Sequence, residues 1–466
     1  MKVVLIQPFP GGTGLNEATV LPPLGIASIA AMLEQRGVFC QIIDANLERL
    51  TDGEVLDRLP SDLLLVGISM NSFTYDSVCR LARNLLADGR TRVVLGGPTP
   101  TAVPEQVLAD VPGALVVRGE GEHAMAELVD RLAAGEAINL ETIPGVYFLD
   151  GNNRMHGTPP RRIENLEELP FPAYHLLPPL RRYRTRNRRT PAGWVITSRG
   201  CSFDCSFCSK DVFQNRVTWR SPGNVLAEID LLVELFGIRQ LDILDDNIAM
   251  NRSHLEAIMD GLLERRYDLV INLQTGVRTE NLDEPLLKKM RRAGVFKLAF
   301  GVESADSSLL AKHGKPLDLN SVAHTVAMAR RLGFVVYGFF IIGLPGETDE
   351  SFARTMDFVK GCRFHVANFC LAIPFPGTDL YKMVEQGGRF LIDTTRTIPS
   401  GFYDGRVFFE YGAMDSVTVQ NRYQRAYKEF YTFSRRLRAL ATIRSLSELR
   451  WLWQAWRSVN YGRRYS

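Results

Sequence analysis

Short apolar runs alternate with amphipathic helical patterns along most of this chain, in two successive series. In residues 1–150 the strand candidates are Lys2–Gln7, Gln41–Asp44, Leu63–Ser69, Val93–Gly96 and Leu115–Arg118, with helical patterns over Gly25–Arg36, Tyr75–Ala87 and His123–Leu132. A second series has strand candidates at Trp194–Thr197, Gln240–Leu244, Leu269–Gln274, Lys297–Val302, Val335–Ile342 and Ala367–Ile373. Helical patterns separate them at Val225–Phe236, His254–Arg265, Glu284–Ala293, Ser321–Leu332 and Ser351–Val359. A strand and a helix repeating every thirty or so residues form the βα unit, and strands joined this way run parallel. The expected fold class is α/β: an N-terminal Rossmann-like doubly wound sheet, then a partial (βα)6 barrel, because six units suit an open barrel better than a closed eight-stranded one. Both architectures bind ligands at the carboxyl ends of their strands.

The expected domains are 1–150, a linker over 151–190, the barrel over 191–385 and a mostly helical C-terminal region, 386–466, acting as a substrate cap. The linker is Pro-rich (LPFPAYHLLPP) and then Arg-rich (RRYRTRNRR). Such an Arg run is ordinarily a solvated loop, with a grip on phosphate or an acidic partner as the alternative. The net charge of +3 argues against a dedicated nucleic-acid binder. No apolar run reaches the roughly 18 residues of a membrane span, and MKVVLIQPFP reads as a first strand rather than a leader. Of seven Cys, three are clustered, while Cys40, Cys79, Cys362 and Cys370 are scattered. That pattern is no disulfide framework; the scattered four read as buried small hydrophobes in a reducing cytoplasm.

The clustered three, Cys201, Cys205 and Cys208, lie in SRGCSFDCSFCSK, just after the first strand of the second series. Three thiolates on one short loop can hold three irons of a cubane cluster and leave the fourth open. Structural zinc usually takes four protein ligands, and the nearest His residues, His175 and His254, are remote in sequence. A fully ligated cluster would need Cys362 or Cys370 brought in by the tertiary fold. The spacing favours the cluster with an open iron and leaves the other two readings standing.

The strand ends of the first series are unusual. They carry QPFPGGTG, SMNS (Ser69–Ser72), GGPTPT (Gly96–Thr101) and RGEGE (Arg118–Glu122), and PPLG opens the first helix. Glycine and small polar residues let backbone approach a bulky ligand. They are also ordinary turn chemistry. Five such loops on one edge point to a large cofactor.

SRGCSFDCSFCSK, with the aromatic Phe207 before its third Cys, resembles the cluster loop of radical S-adenosylmethionine enzymes. Further segments follow in that family's order. DILDDNIAMN resembles the region binding the cofactor's amino group, which implies Asp245, Asp246 or Asn247 on the methionine ammonium. Arg278 stands where it would pair with the carboxylate, and Glu303 in FGVES where the methionine or ribose is contacted. GFFIIGLPGE resembles the fifth-strand motif beside adenine, implying Gly338, Gly343 and Glu347, and PFPGTDLY (Pro374–Tyr381) resembles the loop closing the sixth strand.

Upstream, PPLG, GGPTPT, RGEGE and LPFP look like the cobalamin-binding subclass, so the resemblance spans roughly residues 1–385. It implies cobalamin contacts at Ser69, Asn71, Gly96, Gly97, Thr99, Thr101, Gly119, Glu120, Gly121 and Glu122. None of the seven His lies in an Asp-x-His-x-x-Gly context, so the cobalt is expected to lack a His from the protein.

The implied cofactors are a 4Fe-4S cluster, S-adenosylmethionine and cobalamin. The implied reaction is methylation of an unactivated carbon through a 5′-deoxyadenosyl radical and methylcobalamin, with an external electron donor such as flavodoxin or ferredoxin and a small-molecule substrate. A non-methylating ring formation, contraction or other rearrangement is the second reading. A cobalamin or Fe–S sensor would have lost barrel-edge residues, and these are intact. The C-terminal region suggests a basic amphipathic helix over Tyr423–Leu440, then Trp451, Trp453 and Trp456. It reads as packing against the barrel mouth, with membrane-surface contact or an apolar, lipid-like substrate as alternatives.

Overall fold

The computed structural model describes residues 2–10, 19–87, 89, 91–135, 139–396, 398 and 405–462, without the side chains of Gln274 and 455–462. The first sheet contains β1 (Lys2–Gln7), β2 (Phe39–Asp44), β3 (Leu63–Ser69), β4 (Val93–Gly96), β5 (Leu115–Val117), β6 (Val146–Leu149) and β7 (Met155–Gly157), in the order β2-β1-β3-β4-β5-β6-β7. The first five strands pair in parallel. β1 shows why its sequence is almost wholly apolar. Val3 and Leu5 enter one core and Val4 and Ile6 the other, so both faces are covered by helices. The strand order reverses direction between β1 and β3, which opens a crevice at their carboxyl ends.

Two expectations need correction here. GGPTPT is not a loop throughout: Pro98–Ala102 is a short helix and Pro104–Asp110 a second, each with proline in its first turn, where a missing N–H costs nothing. The span expected as linker begins inside the sheet, because antiparallel β6 and β7 extend it to Gly157. VYFL and MHG are too short to carry a readable alternation. The glycines of QPFPGGTG lie outside the described residues.

The next strands are β8 (Ala192–Val195), β9 (Ser198–Arg199), β10 (Thr218–Trp219), β11 (Gln240–Ile243), β12 (Val270–Val277), β13 (Val295–Glu303), β14 (Val335–Ile342) and β15 (Val366–Leu371). Six of them form one parallel sheet, ordered β15-β14-β13-β12-β11-β8, with β8 and β15 left as open edges. Leu241, Ile243, Ile271, Leu273, Leu298, Phe300, Val336 and Phe340 face outward into the helix-covered core. The inner face is polar on one side, where Asp242, Asn272 and Lys297 stand in register on three adjacent strands, all buried, and apolar beside them at Ala299, Val335 and Tyr337. Burial pushes the Lys297 ammonium down to about 8 against the opposing pull of Asp242.

The expected single helix over Tyr423–Leu440 is two, Ser416–Phe430 and Phe433–Leu440. The break falls where the Tyr431 hydroxyl donates to the Ala367 carbonyl (2.9 Å), just beyond Tyr427, which donates to Phe369 O (3.0 Å). The last helix, Leu446–Gly462, returns to the Arg-rich linker. There the buried Glu448 carboxylate meets Arg186 (3.1 Å) and Arg188 (3.5 Å). That part of the Arg run is therefore a buried clamp, not a solvated loop. Glu448→Ala leaves two largely buried guanidiniums uncompensated, and the expected cost is about 3–5 kcal/mol. A lowered denaturation midpoint with early proteolytic release of the last helix checks it.

Candidate active site

Chain leaving β8 is pinched by the β9–β10 ribbon, where Arg199 faces Thr218, and the excursion between them carries the three cysteines. Gly200 is at φ +91°, and a Cβ there would meet Arg216 O at 2.0 Å, so only glycine allows this crossing. Asp245, just beyond β11, fastens the start of the loop: its carboxylate accepts from Thr197 N (2.6 Å), Thr197 Oγ1 (2.5 Å) and Ser198 Oγ (2.6 Å). Asp246, by contrast, is exposed and accepts only from Gly200 N (3.1 Å). Although the residue reaches solvent, the chain packed around its carboxyl disfavours the charged form and holds its pKa above the ordinary value, with the Gly200 N–H opposing.

The other flank is held by His313–Gly314–Lys315, three residues the sequence reading did not single out. His313 is fully buried, with Nδ1 on Ser206 Oγ (2.7 Å) and Nε2 on Pro345 O (3.0 Å). Gly314, at φ +66°, lies so close that a Cβ would strike Asp204 O at 2.1 Å. Lys315 is buried, with Nζ 2.6 Å from Glu303 Oε1 and 5.8 Å from the Phe207 ring centroid. Burial opposes the charge on Lys315, but Glu303 and the neighbouring thiols outweigh it and hold its pKa above the ordinary value. Cys205 is lowered to about 7, first by a hydrogen bond from Cys208 and then by Lys315, against its burial. Burial raises Cys201.

Among the described residues no three His, Cys, Asp or Glu side chains converge as a single ion requires. Both His313 nitrogens are already bonded, so His313 offers no fourth ligand. Three thiols on one loop beside a buried cation fit a cubane that needs one thiolate per iron.

The remaining barrel residues divide. Glu303 has φ +64°, unusual for a residue with a Cβ, and sits at the end of β13 against Lys315. Gly301 makes room for this pair, since a Cβ there would lie 2.9 Å from both Glu303 Oε1 and Lys315 Nζ. Arg278 stacks on Phe203 (3.9 Å) and donates to Glu280 Oε1 and Pro316 O (2.7 Å), while its buried Nη1 has no partner. An orphaned guanidinium nitrogen beside the cysteine loop fits a carboxylate ligand.

Five residues expected at the cofactor are bonded to or packed against the protein itself. Asn247 caps the turn Ile248–Met250 through Ala249 N (3.2 Å). Gly338 faces outward, where a Cβ would meet Phe340 and Phe364. Gly343 packs on Val419, and Glu347 is buried against Arg422 (3.0 Å). Asp245 is saturated as described. The Gly343–Glu347 segment therefore docks the helix Ser416–Phe430.

On the first sheet, the predicted loops interlock along one edge. Ser69 ends β3, and Asn71 turns the chain by accepting from Phe73 N (2.9 Å). Met70 N donates to Gly96 O (2.7 Å), and Gly97, at φ +110°, leaves no space for a Cβ against Met70 O. Thr99 meets Ser72 (3.3 Å), and Thr101 joins Gly97 O (2.8 Å) to Gly119 N (3.0 Å). Gly121 lies under Ile29. Glu120 and Glu122 are not open to a ligand. Arg199 spans them, Nη1 to Glu120 (2.8 Å) and Nη2 to Glu122 (2.6 Å).

The carboxyl edges of the two sheets meet where Phe73 and Phe375 are in ring contact (6.4 Å), and the C-terminal region joins them there, Ile398 N donating to Ser72 O (2.8 Å). Gly96, Gly97 and Ser69 keep side-chain bulk off that edge, which fits a broad, flat cofactor. A cavity of about 650 Å³ lies on the outer flank of the cysteine loop, lined by Ser202, Trp219, Met250, Arg252 and Asn281.

Comparison with known proteins gives two family matches, the radical SAM superfamily over residues 195–359 and the B12 binding domain over residues 14–129. The chain is 35% identical to an uncharacterized methyltransferase of Pyrococcus horikoshii, over 82% of this chain and 83% of that protein. It is 26% identical to an anaerobic magnesium-protoporphyrin IX monomethyl ester cyclase of Rubrivivax gelatinosus, over 82% and 70% respectively. The radical S-adenosylmethionine methyltransferase TsrM of Kitasatospora setae, solved with cobalamin and a [4Fe-4S] cluster, shares the fold at a TM-score of 0.69 and 18% identity, over 95% of this chain and 89% of that one.

Burial pushes Glu347 up to about 7, with Arg422 pulling the other way. The folded chain then holds a proton that the unfolded chain has released between the ordinary value of 4.5 and about 7. Stability at this site therefore falls as pH rises through that window, by at most about 1.4 kcal/mol per pH unit. Glu347→Gln is expected to flatten that slope in denaturation midpoints measured across the window.

Proposed function

Because the chain belongs to the radical SAM superfamily, in the branch with a B12-binding domain ahead of the barrel, we propose that it methylates an unactivated carbon of a small-molecule substrate. The observation that carries this is the meeting of the two carboxyl edges, one bearing the cysteine loop and the other the small-residue loops. When bound, the 4Fe-4S cluster and S-adenosylmethionine supply a hydrogen-abstracting radical, and cobalamin supplies a transferable methyl group.

The chain's own residues have distinct tasks. Cys201, Cys205 and Cys208 hold the cluster, and Lys315 offsets the charge of their thiolates. Asp246 is the free carboxylate for the ammonium of S-adenosylmethionine, and Arg278 Nη1 the free donor for its carboxylate. The pair reads both ends of an amino acid from neighbouring strand ends. Glu303 keeps Lys315 in place. Ser69, Gly96 and Gly97 form the cobalamin-facing edge. The segment before Ile398 supports a capping role for the start of the C-terminal region. There Thr394 donates to Pro374 O (2.6 Å) and Thr395 accepts from Gln106 (3.0 Å), so it bridges the two edges. Enclosure of this kind keeps water from a reactive intermediate.

A reducing cytoplasmic setting and an external donor such as flavodoxin or ferredoxin go with this reading, since Cys201, Cys205 and Cys208 are free thiols and the chemistry consumes an electron. No described helix is long and apolar enough to cross a membrane. The likeness to the Rubrivivax cyclase supports a second reading, ring formation without methyl transfer.

Anaerobic reconstitution separates the two. Methylation predicts about four irons and one cobalt per chain, with methylated product, 5′-deoxyadenosine and S-adenosylhomocysteine accumulating together. Turnover without S-adenosylhomocysteine would leave only the rearrangement. Arg278→Met is expected to weaken S-adenosylmethionine binding by roughly 1.5–3 kcal/mol, the worth of a hydrogen bond to a charged group, while iron content stays unchanged; equilibrium binding and iron assays check this.

A further inference from the structure

The helix Phe433–Leu440 has no buried residue. Eight residues are too few to be helical alone in water, so such a helix needs a surface to lie on. Its exposed Phe433, Leu437 and Leu440 fall at i, i+4 and i+7, one stripe on one face. The following helix, Leu446–Gly462, repeats the pattern with Leu446, Leu449 and Trp453. All six side chains are between 49% and 79% exposed.

Among the described residues the exposed charge on these two helices has one sign. Among the described residues Arg436, Arg438 and Arg450 are exposed and form no ion pair with a carboxylate. Arg438 also stands near Arg330 and Arg363, and with burial these two guanidiniums lower the ionisation of Arg330, whose Nε is buried without a partner. Like charges gathered beside apolar side chains favour an anionic partner.

We propose that these two helices form a docking surface for an anionic lipid bilayer, lying flat in its headgroup region. A second copy of the chain is disfavoured, because a two-fold contact through this face would gather the unpaired arginines of both copies in one interface with no carboxylate to meet them. The exposed side chains lie in stripes along helices, and interleaved Phe, Leu, Trp and Arg match an interfacial helix.

The surface lies away from the mouth. Arg435 donates to Lys360 O at the end of the helix Asp349–Cys362, next to the start of β15, and Arg330 lies in the last turn of the helix leading into β14. It is therefore at the barrel end where strands begin, opposite the cysteine loop. Docking there holds the enzyme on a bilayer with its mouth turned outward, and the exposed apolar residues are an anchor rather than a lipid-substrate entrance.

Flotation of the full chain with vesicles tests this. Wild type is expected to float with phosphatidylcholine vesicles containing phosphatidylglycerol and to stay behind with phosphatidylcholine alone. Phe433→Glu/Leu437→Glu and, separately, Arg436→Glu/Arg438→Glu are expected to weaken flotation at least about tenfold, with unchanged thermal midpoints and iron content. Equal flotation of wild type and both variants overturns the proposal. So does equal flotation with neutral vesicles, or concentration-dependent dimerisation in light scattering that the same variants abolish.

Discussion

Arg199 is the point on which the arrangement turns. It lies two residues before Cys201, in the β9 ribbon, and its guanidinium bridges Glu120 and Glu122 of the first sheet. Glu120 in turn accepts from Ile163 N (2.9 Å) in the connecting segment. One buried group thus joins the cobalamin-binding half, the connection and the cluster loop. Desolvating three charges costs about as much as their attraction returns, so this cluster contributes little net stability. Its effect is geometric. A planar fork held by two carboxylates fixes both distance and orientation, and two cofactors that must exchange groups need both fixed.

The cysteine loop inherits its shape from the same logic. Asp245 fixes its first residues, Gly200 lets it cross the chain at Arg216, and His313 with Gly314 closes it from the far side. None of these groups is free for a ligand. They hold in place those that are, the three thiols, Asp246 and the open nitrogen of Arg278. Positions that must be accurate are thereby set by side chains whose own hydrogen bonds are complete.

This division explains what was legible in the sequence. β1, β3, β4 and β14 have the limits that period and composition gave, because buried parallel strands are apolar on both faces. The cysteine triplet was legible because its spacing is local. Glu120, Glu122, Asn247 and Glu347 were expected at ligands, and the protein partners they have could not be foreseen, since a sequence shows a carboxylate or amide at a strand end without showing what it bonds. Here those partners are Arg199, Arg422 and the Ala249 amide. Lys315 escaped notice for the converse reason. Its partner Glu303 stands twelve residues earlier, and only the turn through His313 and Gly314 brings them together beside the thiols. The Arg-rich linker misled because Arg186 and Arg188 find Glu448 far along the chain.

Charge balance at the cluster loop then follows from position. Three thiolates crowded into a half-buried loop repel one another, and the cost grows as the local dielectric falls. Lys315 supplies a buried cation and Arg278 a second, but Glu303 cancels much of the first at 2.6 Å and Glu280 part of the second. The remaining positive field is small. Held by Cys201, Cys205 and Cys208 as proposed, a cluster would find little added stabilisation of its more negative, reduced form in such surroundings, which favours a low potential. That is the condition under which electron transfer onto a sulfonium becomes feasible. In the proposed site Glu303 would then act through Lys315, by restraining a cation that, left unpaired, would favour the reduced cluster.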